Sequence, residues 1–137
     1  MRILDRVAMI PRAFRGDDRG WLLKLMDGRE PALPPAFGEI YIVMALPGHI
    51  RANHYHHKTS EWFTLVKGNA VLKLADPESK DLREIFLQAT DPHTVFVPAG
   101  VAHAFKNPEN SGSEFLLIAY ADRPYDPSDT VAFELFS

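Results

Sequence analysis

A chain of 137 residues suffices for one compact domain and is too short for two, and burial of ~65–70% of its unfolded surface needs no disulfide or structural metal. Hydrophobic residues at 46% and charged residues at 24% exclude disorder, no apolar run approaches the ~18 residues of a membrane span, and a net charge of -3 disfavours a general grip on nucleic acid. There is no cysteine, and charges interrupt the start of the chain where a signal peptide needs its apolar stretch, so a cytoplasmic protein without disulfides is expected.

Eleven prolines and eight glycines cut the chain into short segments. Between them lie β-branched and aromatic runs, the pattern of an all-β sandwich or barrel. In chain order the expected strands are Trp21–Met26, Glu39–Leu46, Trp62–Val66, Ala70–Ala75, Glu84–Leu87, Thr94–Val97, Ala102–Phe105 and Glu114–Tyr120, with Val131–Phe136 as a final one. Pro31, Pro34 and Pro35 mark a loop, Asp76-Pro77-Glu78-Ser79 a turn between paired strands, and Asn110-Ser111-Gly112-Ser113 a further loop. The stretch Arg123–Asp129, with Pro124 and Pro127, reads as extended or looped. No repeat or linker divides the chain, so residues 1–137 are expected to form a single domain with an N-terminal strand extension and an extended tail.

Glu39–Leu46 is apolar on both faces: Tyr41, Val43 and Ala45 alternate with Ile40, Ile42, Met44 and Leu46. Two explanations stand. The segment is a central strand of a small sandwich, or its outer face is a subunit interface. A homodimer is expected on the second, because a symmetric pair is the commonest way to cover such a surface.

Three of the six histidines, His54, His56 and His57, fall within four residues. On a strand, positions two apart share a face, so His54 and His56 can reach one metal ion together while His57 points away. Glu61 follows a short turn and His103 opens a later strand after Pro98-Ala99-Gly100. Three imidazoles and a carboxylate make a good nitrogen and oxygen site for a divalent first-row ion; zinc, nickel, iron and manganese are not ranked by ligand type. His49 and His57 read as polar residues at a strand edge or pocket rim, and His93 has no visible partner.

Gly48, His54-x-His56, Glu61 and Gly68 resemble the first motif of the cupin superfamily at every position. Pro98-x-Gly100-x-x-His103-x-x-x-Asn107 resembles the second, with Pro92 where a glycine is expected six residues before Pro98. The resemblance implies a double-stranded β-helix, or jelly roll, of two packed antiparallel sheets. It places His54, His56, Glu61 and His103 as metal ligands.

A more local resemblance concerns function. Arg51-Ala-Asn53-His54-Tyr55-His56-His57 with Glu61-Trp-Phe63 resembles the C-terminal cupin domain of bifunctional capsular-polysaccharide enzymes acting on UDP-sugars, with Ala52 where that stretch has glycine. The tail Ala119-Tyr-Ala-Asp-Arg-Pro-Tyr125-Asp126-Pro127 resembles that domain's ending. Asp17-Asp18-Arg19-Gly20 is similar to the opening of dTDP-4-dehydrorhamnose 3,5-epimerases and dTDP-sugar 3,4-ketoisomerases. Together they imply a UDP- or dTDP-linked 4-keto sugar as substrate, with epimerisation at C3 or ketoisomerisation as the reaction. Arg51 is then placed to hold a diphosphate, or else is a surface arginine. Tyr41, Phe63, Phe105 and Tyr120 are candidates to line the pocket. Tyr120, His57 and Lys73 are candidate general bases, beside a hydroxide on the metal. Two other functions use the same residues: an Fe(II)-dependent oxygenase, and a non-catalytic carbohydrate- or small-molecule-binding cupin.

Overall fold

Twelve strands carry the fold of the computed structural model, which describes residues 2–35 and 37–137. They are β1 (Ala8–Pro11), β2 (Phe14–Asp17), β3 (Gly20–Leu23), β4 (Glu39–Ala45), β5 (Ile50–His56), β6 (Glu61–Lys67), β7 (Asn69–Ala75), β8 (Leu82–Gln88), β9 (His93–Val97), β10 (Ala102–Lys106), β11 (Phe115–Ala121) and β12 (Thr130–Ala132). Short 3₁₀ turns at Ile3–Arg6 and Pro127–Asp129 are the helical elements among the described residues.

One five-stranded antiparallel sheet has the order β1-β9-β6-β11-β4, and a second has the order β12-β5-β10-β7-β8. Residues of alternating parity from both sheets meet in one core: Phe63, Leu65, Val95, Val97, Phe115 and Leu117 from the first, Leu72, Leu74 and Phe105 from the second. Each such side chain contributes about 1.5–3 kcal/mol of burial. This is the jelly roll that the cupin motifs imply. The turn at 76–79 does connect paired strands, β7 and β8, in a continuous seven-residue register.

Several expectations shift. The strand over 21–26 is shorter and pairs with the unexpected β2 as a separate two-stranded hairpin. Residues beyond it leave the ladder and cross the outer face of the first sheet, where the Leu25 carbonyl accepts from the Thr94 hydroxyl at 2.8 Å. Arg12 and Glu30 brace that crossing through an ion pair at 2.5 Å, both side chains nearly inaccessible. The final strand is the three-residue β12, not 131–136; residues beyond Ala132 are held by Asn53, through its carbonyl to the Phe133 N–H and its side chain to residues 135–136, instead of by a ladder.

The explanation of 39–46 as a central strand is overturned. β4 stands at the edge of its sheet and pairs with β11. Tyr41, Val43 and Ala45 pack inward, while Ile40 and Ile42 are 60% and 65% exposed and Met44 and Leu46 about half.

Candidate metal centre

The inner face of β5 carries His54 and His56, because alternate residues share a face. The chain then turns through residues 57–60, and Glu61 opens β6 on the inward side with Phe63 and Leu65. Asp129 holds this turn by accepting from the Lys58 N–H at 2.9 Å and the Thr59 hydroxyl at 2.7 Å. A second turn delivers His103: Gly100, at a φ of 90°, donates its N–H to the His56 carbonyl at 2.7 Å before β10 begins. The left-handed backbone there favours glycine. His103 lies opposite His54 across the β5–β10 ladder.

The four residues converge. One ligand atom from each of His54, His56, Glu61 and His103 lies within 4.8 Å of all the others. Oε1 of Glu61 faces Nε2 of His56 at 3.0 Å and Nε2 of His103 at 3.5 Å. It is buried and receives no well-aligned hydrogen bond. Nδ1 of His103 lies 3.1 Å from the Val101 carbonyl, which only accepts, so the proton sits on Nδ1 and the lone pair of Nε2 points at the carboxylate. Ring nitrogens facing a buried carboxylate oxygen are unfavourable unless a cation, a proton in the metal-free protein or a metal ion in its place, stands between them. The donor set fits a divalent ion on that ground.

The electrostatics agree. Burial pushes the His54 imidazole down to about 4, helped by His103 and His56, which keeps its ring neutral and able to ligate. Burial opposes ionisation of Glu61 too, but the two imidazoles and the Tyr41 hydroxyl outweigh it and hold the carboxyl well below its usual range. His56 is also penalised by burial, and the adjacent Glu61 reverses this and raises it. The Tyr41 hydroxyl donates to Oε2 of Glu61, and Thr130 Oγ1 lies 3.2 Å from Nδ1 of His56. These outer contacts fix the orientation of the ligands.

A cavity of about 260 Å³ opens beside the cluster, with Glu39, Tyr41, Thr59, Arg123, Tyr125 and Thr130 among its lining. A second lobe of about 150 Å³ shares Tyr41 and His54 and is bounded by Arg51, Phe63, His103 and Phe105. The structure therefore brings Arg51, Tyr41, Phe63 and Phe105 to the cavity with the four clustered residues.

The three side chains considered as bases lie elsewhere. Lys73 is on the outer face of β7, opposite to Leu72 and Leu74, with its ammonium 4.3 Å from the Phe136 ring centroid. Tyr120 alternates with the inward Leu117 and Ala119, so it packs outside against Trp62 and Phe37, each at 5.6 Å between ring centroids. His57 turns outward and packs on Tyr55 at 5.4 Å. His49 lines the edge of a shallow recess with Met44 and Arg51, and His93 contacts the Asp91 carbonyl at 2.9 Å. The Asp17-to-Gly20 motif forms the tip of the β2–β3 hairpin, where Arg19 closes on Asp17 at 2.6 Å.

Sequence reasoning missed Glu39, Arg123 and Asp126. All three line the cavity. The last two lie within the tail 119–127 that stands out as a motif, where no single residue was distinguished; Glu39 shares the parity of Tyr41, so Tyr41 as a lining residue already pointed to it.

Residues 15–133 match the family model described as the polysaccharide biosynthesis C-terminal domain. The chain is 28% identical over 109 residues to the spore coat polysaccharide biosynthesis protein SpsL of Bacillus subtilis (strain 168), covering 76% of this chain and 72% of that one. It superimposes on the capsular polysaccharide assembling protein CapF of Staphylococcus aureus with a TM-score of 0.68 at 24% identity, over 91% of this chain and 35% of CapF. The chain thus spans about a third of that protein. A dTDP sugar isomerase from Desulfovibrio desulfuricans G20 superimposes with a TM-score of 0.85 at 19% identity, over 100% of this chain and 93% of that one. These structural likenesses are of fold, and the fold is that of the cupins. With the family match running through both sheets and across His54, His56, Glu61 and His103, the chain belongs to the polysaccharide biosynthesis C-terminal domain family.

Proposed function

We propose that this chain binds one divalent transition metal ion through His54, His56, Glu61 and His103 and epimerises a nucleotide-linked 4-keto hexose at C3, as a step in polysaccharide sugar synthesis. The observation that carries this reading is the convergent donor set beside a cavity whose lining also includes Arg51 and Arg123. Family membership supports a place in polysaccharide synthesis. The names of the dTDP sugar isomerase and of a 3,4-ketoisomerase with the same fold support the sugar-nucleotide class.

In a 4-keto sugar the C3 proton is acidified, because its loss gives an enediolate conjugated with the carbonyl. A divalent ion on these four ligands supplies a Lewis acid for the carbonyl oxygen. The chain supplies the rest. Arg51 and Arg123 grip the diphosphate through charge-assisted hydrogen bonds, and Phe63 and Phe105 wall the inner lobe. Burial and the neighbouring Glu61 charge raise the Tyr41 phenol well above its ordinary value, so Tyr41 stays protonated and keeps donating to Glu61. Glu39, inward on the same strand, presents the carboxylate that removes the C3 proton. Solvent delivers a proton to the opposite face of C3, which inverts the centre, and Glu39 releases its proton to solvent. Tyr120, His57 and Lys73 have no part in this, since none reaches the cavity.

The exposed face of β4 supports a homodimer in which a second copy covers Ile40, Ile42, Met44 and Leu46. Among the described residues no helix is long and apolar enough to cross a membrane.

The test is product analysis by NMR after zinc- and iron-loaded protein is mixed with UDP- and dTDP-linked 4-keto hexoses. A C3 epimer from the redox-silent zinc form supports the proposal. Turnover that needs iron and oxygen favours the oxygenase, and binding without turnover favours the non-catalytic cupin.

A further inference from the structure

Arg51 is three residues before His54, and strict alternation along a strand sends it to the opposite face. Yet Arg51 pairs with Phe105 and His54 pairs with His103, and both partners are buried inside the barrel. The register jumps between these pairs, from His103 opposite His54 to Ala104 opposite Ala52, and skips Asn53. This β-bulge reverses the parity upstream of the histidines and turns Arg51 into the cavity.

The bulge is strained as built. Ala52 and Asn53 both have left-handed backbones, at φ values of 86° and 58°. Asparagine tolerates that region and alanine does not, so Asn53 suits its place locally. Its side chain ties the bulge to residues 135–136 on the outside of the barrel. Oδ1 accepts from the Leu135 N–H at 3.0 Å and the Phe136 N–H at 3.2 Å, while Nδ2 donates to the Phe136 carbonyl at 3.0 Å. The Asn53 carbonyl accepts from the Phe133 N–H at 2.9 Å. Both ends of a carboxamide are used, an arrangement that carboxylate and hydroxyl side chains do not reproduce. Phe136 is itself covered by the Lys73 ammonium.

We infer that Asn53 is a positioning residue: tethered to residues 133–136, it holds the bulge that aims Arg51 at a diphosphate beside the metal cluster. The inference rests on the proposed nucleotide-sugar reading for its ligand and on the observed bulge for its geometry. Residues 133–136 thereby act on the cavity from the far side of the sheet.

The experiment uses the full chain with Asn53→Ala, Asn53→Asp, Arg51→Ala and the Asn53→Ala/Arg51→Ala double variant. Crystal structures give the direction of Arg51, and titrations give affinity for UDP, dTDP and zinc alone. Asn53→Ala is expected to release Arg51 from the cavity and to weaken diphosphate binding by about tenfold or more, as Arg51→Ala does. The double variant should lose nothing further, and zinc affinity should stay within about twofold of the native protein. Asn53→Asp keeps the left-handed backbone and both accepted bonds, so it folds and shows a smaller loss; it also serves if Asn53→Ala does not fold. An Arg51 that still faces the cavity in folded Asn53→Ala overturns the inference, as does undiminished UDP and dTDP affinity in Asn53→Asp or additive loss in the double variant. If neither UDP nor dTDP binds the native protein, the nucleotide reading fails on its own, and the direction of Arg51 in the crystals still decides the positioning role.

Discussion

The Tyr41 hydroxyl donates to Oε2 of Glu61, the carboxylate whose other oxygen faces His56 and His103. Tyr41 and Glu61 come from one sheet and the histidines from the other, so the Glu61 carboxylate, steadied by Tyr41, links both sheets at the candidate metal centre. Tyr41→Phe removes it and leaves Oε2 without its donor. Zinc affinity should fall about 10–100-fold, measured by chelator competition, with the fold retained. His54→Ala/His56→Ala should lose stoichiometric zinc altogether. Undiminished zinc in that double variant contradicts the ligand assignment.

Ala52 sits at a φ of 86°, where glycine stands in the sequence that this stretch resembles. A left-handed alanine costs about 1–2 kcal/mol, and glycine gives back about 0.5–1 through its freer unfolded chain. Ala52→Gly should therefore raise stability by about 0.5–1 kcal/mol, a gain of about 2–4 °C in melting temperature. Destabilisation on this change would mean that the left-handed bulge does not exist in solution.

The pH dependence of the metal-free protein follows from His54. Its pKa in the fold is about 4 against an ordinary 6.5, so between those values the unfolded chain binds more protons. Stability from this group is full above the ordinary value and is lost as pH falls toward 4. Glu61 has the same sign lower down, because its depressed carboxyl loses its contribution below its ordinary 4.5. His56, raised in the fold, acts oppositely: its contribution grows as pH falls toward 6.5 from above and is complete below it. Thermal melts of metal-free protein should show a fall from pH 7 to pH 5 that His54→Gln reduces. An equal fall in that variant contradicts the assignment.

The outward side chains of β4 stay about half or more exposed among the described residues. Light scattering at micromolar concentration should give twice the chain mass, and Ile42→Lys/Met44→Glu should give the single-chain mass with an unchanged circular dichroism spectrum. A monomeric native protein contradicts the interface.

Legibility from sequence followed the range of each interaction. His54, His56, Glu61 and His103 were legible because two strand-parity arguments and fixed turn spacings bring them together, and backbone geometry enforces both. Tyr41, Phe63 and Phe105 were legible as aromatic residues of strands, though not which lobe each would face. Tyr120 and Lys73 could be named only as candidates because alternation names two faces without saying which is inside; that depends on Leu117 and Leu72 packing across the sheets. β5 conceals a bulge that no composition signal marks, since Ala52 stands where a glycine would have pointed to it. Arg123 and Asp126 reach the cavity through a proline-containing loop with no periodicity to read.

The central claim concerns proton removal at C3, and solvent exchange measures it directly. Metal-loaded protein is incubated in D2O with UDP- and dTDP-linked 4-keto hexoses, and deuterium at C3 is followed by NMR. Incorporation at C3 that depends on the metal and falls at least 100-fold in Glu39→Gln is the expected result, a loss typical of removing a general base. Retention of the C3 proton in every substrate that the metal-loaded protein binds would contradict the epimerase account.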